Sequence, residues 1–377
     1  MKKTVISLLF LLVSLFTVCE KKLKPSKNVP EISLSTITDH AGRNVTIPKK
    51  VERIVCSGAG CLRYICYLQG QDNVVAVDDV EKRKSNYNTR PYHIANPQFL
   101  TMPLSGEFRG RDNPELIVSL KKKPQVILKT YFESGYNPQH LQDKTGIPVV
   151  TCEYGDLTRY RETLFASLRL MGKVIGKEKR ADECITFFKN TIDDLRKRTA
   201  SIPENKKVTC YIGGIAFRGP HGILSTEPGY APFTIIGAKN VAFNPKDGIQ
   251  QKRHGIIAKE KLIEWDPQIL FIDLSTFQLA DKTSAFYQLR HDPVYKNIRA
   301  VKNGNIYCVL PYNSYTTNHG MVLANAYYIG AILFQEQFKD IDPRKKADEI
   351  FSFLVGKPVF AKLNTMFQGK VYTKVDI

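Results

Sequence analysis

The sequence predicts an α/β protein: two Rossmann-like lobes joined by a helical segment, with a ligand cleft between the lobes. Three observations carry this. Short apolar runs of strand character alternate with helical stretches in each half of the chain. A region of helical periodicity, 158–203, separates the two alternations. One helix-into-strand phrase is also written twice, as "NPELIVSLKKKPQVI" from Asn113 and "AKEKLIEWDPQILFID" from Ala258. At 377 residues the chain is longer than a single core usually carries, which agrees with two lobes.

The elements follow in order. "MKKTVISLLFLLVSLFTVC" has two lysines and then an apolar run from Val5 to Val18, too short for a comfortable membrane span. It reads as a secretory signal over 1–19, followed by a charged tether over 20–32. The N-terminal lobe, 33–157, should contain strands near 51–58, 73–79, 124–132 and 147–154. Gly58 and Gly60 end the first of these before an apolar helix, "CLRYICYLQG". In the inter-lobe region apolar residues at 164, 168, 171 and 175, then at 181, 184, 185, 188, 192 and 195, mark helix faces. Gly172 and Gly176 are expected to break it into two helices, and Pro203 to end it. The C-terminal lobe, 204–377, should hold strands near 207–214, 268–274 and 305–312 and close with a helical tail.

Composition narrows the function. A hydrophobic content of 43% is that of a folded globular chain. The net charge of +19 comes from lysines spread along the chain, with no nucleic-acid-binding signature, so no nucleic-acid partner is expected. Seven cysteines besides Cys19 lie mostly in apolar runs and read as buried thiols; an odd number cannot all pair internally. The seven histidines show no H-x-x-x-H pair, so no dedicated metal cage is indicated. Neither a G-x-x-x-x-G-K-[ST] phosphate loop nor a G-x-S-x-G elbow occurs. The chain is therefore expected not to be an enzyme and to hold no cofactor of its own.

Several phrases together resemble one family. "TITDHAGRNVTIPKKVERIV" (36–55), "LRLMGKVIGKEKRADECI" (168–185), "IGAKNVA" (236–242) and "RAVKNGNIYCV" (299–309) join the doubled helix-strand phrase. In this order they resemble the cobalamin- and iron-siderophore-type solute-binding proteins of ABC importers, from about residue 34 to 335. The lysines at 121–123 and a long C-terminal tail depart from that pattern. The resemblance implies a monomeric binding protein that captures a small-molecule metal chelate, such as a ferric siderophore, and delivers it to an ABC permease and its ATPase. It implies that Glu115 and Glu260, one at each doubled helix start, dock on permease arginines; the dipole of each helix offers a purely local role for the same residues. Cys19, just after the signal core, resembles a bacterial lipoprotein site. Lipidation there would anchor the protein outside the cytoplasm, although Val18 is larger than the small residue usual before such a cysteine.

Ligands of open α/β sheets bind beyond the carboxyl ends of the strands. Loops at those places offer Arg109, Arg111, Tyr131, Arg218, His221, Tyr230, Tyr312 and Tyr315. Arginine beside tyrosine suits an anionic ligand with flat surfaces. A ferric chelate, a haem or a less charged corrinoid, or another chelate of nickel or cobalt, are the cargoes to compare. His221 is either a metal ligand or a hydrogen-bonded loop residue. A chelatase-like enzyme and a surface sensor or adhesin are the alternatives from other classes.

Overall fold

The computed structural model describes residues 33–244, 246, 254–279 and 282–377. The expected signal 1–19, Cys19 and the tether 20–32 lie outside these residues.

A hairpin, Leu34–Thr38 against Asn44–Pro48, opens the described chain. The first sheet has six strands in the order Arg111–Asp112, Leu104–Glu107, Val74–Asp78, Ile54–Ser57, Val126–Thr130, Val149–Cys152. All its pairings are parallel except the short one between Leu104–Glu107 and Arg111–Asp112. The second sheet has four parallel strands: Lys239–Asn240, Thr209–Gly213, Ile269–Asp273, Ile306–Val309. Strands buried on both faces explain the continuous apolar runs, since helices cover a parallel sheet on each side. Ile54–Ser57 and Val126–Thr130 are buried at every position.

The doubled phrase has a topological meaning. Helix Pro114–Ser119 leads to strand Val126–Thr130, which pairs with Ile54–Ser57, the first strand of its sheet. Helix Lys259–Trp265 leads to Ile269–Asp273, which pairs with Thr209–Gly213, the first strand of the other sheet. The expected strands that were apolar all form. The strands Leu104–Glu107, Arg111–Asp112 and Lys239–Asn240 carry too few apolar residues, over too short a length, to show in the pattern.

Two helices, Arg161–Ile175 and Glu178–Thr199, connect the sheets. Gly176 ends the first in the left-handed conformation that glycine adopts without steric cost. Gly172 does not break the helix, against expectation. It lies inside it, and a Cβ there would come within 2.9 Å of the Ala181 Cβ, so its role is close packing of the two helices.

The tail is more than an appendage of the second sheet. Helix His319–Leu333 is buried along most of its length. Helix Pro343–Val355 packs against helices Cys61–Tyr67 and Pro91–Ala95 of the first half. Phe353 stacks on Phe187 at 4.0 Å between centroids, and Lys357 Nζ donates to the Ala95 carbonyl at 2.7 Å. One apolar cluster thus runs through both halves of the molecule, and the two sheets are held firmly beside the cleft.

Candidate functional site

The loops at the carboxyl ends of the parallel strands surround a cavity of about 820 Å³. Five arginines line it: Arg83, Arg90, Arg109 and Arg111 from the first half, Arg218 from the second. Among the described residues no aspartate, glutamate, lysine, histidine or cysteine does so. Tyr87, Phe108, Tyr131, Phe217 and Tyr315 supply the aromatic surface.

Three of the arginines are already paired. Arg83 meets Asp79 at 2.5 Å, and Arg90 is buried against Glu81 at 2.8 Å. Arg111 stands 3.9 Å from Glu107, both exposed, a contact worth little in water. Arg109 and Arg218 have no carboxylate partner among the described residues. Both are exposed and line the cavity.

The loop carrying Arg109 is braced from below. Lys129, fully buried in its strand, donates through Nζ to Asp112 at 2.6 Å, to the Gly110 carbonyl at 2.9 Å and to Ser57 at 3.1 Å. This lysine is neutralised by Asp112 and holds the loop backbone. Asp79 also accepts from the Phe108 backbone N–H at 2.7 Å.

The halves meet at the cleft floor through loop 314–317. Tyr131 and Thr316 share a hydroxyl hydrogen bond of 2.7 Å, and the Tyr315 hydroxyl accepts from the Arg109 backbone at 2.9 Å while donating to Asp78. Burial, with the Glu81 charge nearby, pushes the Asp78 carboxyl up to about 7. Tyr315 titrates far above the usual tyrosine range, from burial and the adjacent Asp78.

Backbone conformation marks the same place. Nine non-glycine residues have positive φ among the described residues, and Arg109, Tyr131, Arg218, Tyr315 and Thr316 are five of them. Each left-handed residue with a side chain costs about 1–2 kcal/mol. Such residues persist where the surroundings fix them, and they gather at ligand clamps.

Of the residues expected at the cleft, Arg109, Arg111, Tyr131, Arg218 and Tyr315 line the cavity. Three do not. Tyr230 is fully buried, accepts from Asn325 at 3.2 Å and packs edge-on against Phe233. Tyr312 is buried too and donates to Glu227. His221 is held by its ring nitrogen to the Phe217 carbonyl at 2.8 Å. The two tyrosines turn inward from the cavity, where a tyrosine ring gains from core packing while its hydroxyl is still satisfied. Sequence reasoning missed Arg90, Phe108 and Phe217, and named the 78–83 loop without singling out Arg83. The seven cysteines of the described chain are free and buried. Among the described residues no group of three His, Cys, Asp or Glu side chains is placed to hold a metal ion.

Glu115 and Glu260 each sit in the first turn of their helix, exposed, with no ion pair among the described residues. They occupy corresponding positions before the two strands described above, away from the arginine-lined cavity.

Comparison with known proteins places this geometry. The molybdate-binding protein MolA of Haemophilus influenzae is 23% identical over 84% of this chain and 89% of its own. The iron-uptake system-binding protein of Bacillus subtilis is 25% identical over 52% of this chain and 57% of its own. Among solved structures, a periplasmic solute binding protein from Veillonella parvula superposes with a TM-score of 0.69 at 18% identity, covering 90% of this chain and 98% of that one. MolA bound to molybdate superposes with a TM-score of 0.65 at 20% identity, over 86% of this chain and 98% of that one. The sequence model for periplasmic binding proteins matches residues 54–311. Because that span covers more than half of the chain and holds both sheets, the chain belongs to the periplasmic binding protein family.

Proposed function

We propose that this solute-binding protein captures an iron chelate of net negative charge outside the cytoplasm and hands it to the membrane permease of an ABC importer. The observation that carries the reading is the cavity lining: among the described residues, five arginines, two of them without a carboxylate partner, and no acidic side chain. Such a site binds by pairing guanidinium with oxyanion, which needs no catalysis. Free nickel or cobalt would meet arginines and neutral side chains there, with no described carboxylate, imidazole or thiol to hold it. A corrinoid, with little charge, would leave Arg109 and Arg218 unpaired. The volume suits a ligand of the usual small-molecule size rather than a single tetrahedral oxyanion. Relatives named for iron uptake and for ferric citrate support an iron cargo, and the MolA likeness supports an anionic one. No helix among the described residues is long and apolar enough to cross a membrane. Lipidation at Cys19 would supply the anchor, as the name of a related Bacillus subtilis lipoprotein suggests.

A thermal-shift screen of the full chain tests the cargo. Ferric siderophores, ferric citrate, haem, a corrinoid, molybdate and free metals form the panel. A ligand at about 100 times its dissociation constant adds roughly 2.7 kcal/mol. An anionic ferric chelate should raise the melting temperature clearly; a shift with free metal or corrinoid alone would reject the proposal.

Delivery is tested separately. Glu115 and Glu260, exposed in the first turn of corresponding helices, would meet arginines of a two-fold permease. Changing both to alanine should lower uptake by cells about tenfold or more, since such rim charges govern association. Ligand affinity of the purified variant should be unchanged. Normal uptake by the double variant would leave these glutamates a local role only.

A further inference from the structure

The tripeptide Phe-Arg-Gly occurs twice, as Phe108-Arg109-Gly110 and as Phe217-Arg218-Gly219. The two copies share a geometry. Arg109 and Arg218 have φ of 61° and 57°, and the glycines after them are at 72° and 144°. Each guanidinium lies over the ring of its own phenylalanine, 5.2 Å and 5.4 Å from the centroid. Both Phe-Arg pairs line the one cavity, each from a different half of the molecule.

The repeat is not a relic of the doubled lobe. The first copy follows strand Leu104–Glu107, which pairs outside Val74–Asp78; the second follows Thr209–Gly213, the first strand of its sheet. The topological counterpart of Thr209–Gly213 is Ile54–Ser57, which leads into a helix instead. Two unlike places in the fold thus present the same chemistry to the same space.

Each copy is also braced independently. On one side the Gly110 carbonyl accepts from Lys129 at 2.9 Å and from the Tyr136 backbone at 2.8 Å. On the other the Phe217 N–H donates to the Gly219 carbonyl at 2.9 Å, Asn313 donates to the Ala216 carbonyl at 2.9 Å, and Phe217 stacks on His254 at 4.4 Å. Strained residues held this way are preorganised, so little ordering is left for the moment of binding.

We infer that the cargo is a chelate with two like anionic ends, each gripped by one Phe-Arg unit, with the metal between them. This rests on the anionic-chelate reading above. The guanidinium of each unit pairs with an oxyanion of the donor group, and the phenylalanine ring beneath it backs that guanidinium. Like grips select like ends, and one compact oxyanion fills only part of a cavity of about 820 Å³.

Calorimetric titration of the full chain tests this with four probes: ferric bis-citrate, ferric bis-catecholate, molybdate and a neutral ferric trihydroxamate. The first two carry like anionic donors on both sides of the iron. At least one of them should bind, with molybdate about 100-fold weaker or more. Arg109→Gln and Arg218→Gln should each weaken that binding about 10- to 100-fold, by similar factors, while the melting temperature without ligand stays that of the parent. Arg→Lys at either position should restore only part of the loss, because lysine keeps the charge without the fork. If a two-ended chelate binds but only one arginine matters, or if molybdate binds as tightly, the two-ended cargo is rejected and the anionic reading stands. If no anion binds, or the neutral complex binds best, both fall.

Discussion

Replacing Arg63 by methionine should destabilise the protein by about 2–4 kcal/mol and release the loop that carries Tyr315 and Thr316. Arg63 is fully buried in helix Cys61–Tyr67 and has no carboxylate partner among the described residues. Its guanidinium donates to the Ser314, Tyr315 and Thr317 carbonyls at 2.8, 3.1 and 2.9 Å and to the Tyr154 hydroxyl at 2.5 Å. The faces of Tyr92 and Tyr154 lie 5.2 and 5.9 Å away. Charge dispersed over carbonyls and rings in this way is satisfied only as a set. Methionine fills much of the volume yet leaves the Tyr315 carbonyl without its donor, whereas Ser314 keeps the Asn318 side-chain amide at 3.3 Å and Thr317 keeps the Tyr154 hydroxyl at 2.7 Å. Because this loop joins the halves at the cleft floor, ligand affinity should fall along with stability. Urea unfolding of parent and variant measures the first and calorimetry the second. A stability loss below about 1 kcal/mol, the size of one ordinary hydrogen bond, would show the arginine to be dispensable. Arg63→Lys should recover less than half of the loss, since one ammonium cannot reach all the acceptors.

Asp273→Asn should make the protein more stable at pH 8, by on the order of 3 kcal/mol, and change it little near pH 4.5. Asp273 ends strand Ile269–Asp273, fully buried, and accepts from the Ser275 backbone at 2.8 Å. Burial pushes its carboxyl up to about 7, while in the unfolded chain it titrates near 3.9. Between these values the folded protein holds a proton that the unfolded chain has released. The stabilisation is complete below about pH 4, declines as pH rises, and is gone above about pH 7. An asparagine cannot ionise there, yet its side-chain oxygen still accepts from Ser275. Asp78, also pushed up to about 7, changes stability in the same direction and is common to both proteins, so it cancels in the comparison. Urea midpoints of parent and variant between pH 4.5 and 8 decide the matter: a difference that stays flat with pH would mean the buried carboxyl is solvated in the folded state.

How much of the site was legible follows from where each residue's partner lies in the chain. The strands Ile54–Ser57, Val126–Thr130 and Ile269–Asp273 are short, buried at every position and begin with runs of three or four apolar residues, so local composition alone revealed them. Arg218 could be nominated because it follows a legible strand in a glycine-containing loop, and Arg109 because it lies in a glycine-rich loop just before the first copy of the doubled phrase. Their shared strain could not be seen, because φ at Arg109 depends on contacts with Lys129 and Tyr315, far away in sequence.

Tyr230, Tyr312 and His221 carry the opposite lesson. By residue type and loop position they match Tyr131 and Tyr315, yet the first two are buried and His221 turns to the Phe217 carbonyl. A tyrosine on a loop bears a large apolar ring and one hydroxyl, and both core and cleft can satisfy it. Only the course of the loop chooses between them. Likewise Gly172 looked like a helix breaker beside Gly176, but the second helix packs onto it and the first runs through.

By itself, then, the sequence determined the two α/β halves, the helices between them and the family, because apolar periodicity and the doubled phrase are local and act through burial. The tertiary structure alone decided which cations lack an internal partner. Arg90 is matched by Glu81, Lys129 by Asp112 and Arg63 by carbonyls more than 250 residues away, while Arg109 and Arg218 line the cavity without a carboxylate partner among the described residues. Charge becomes a binding determinant only when the fold withholds every internal partner, and that is a property of long-range contacts.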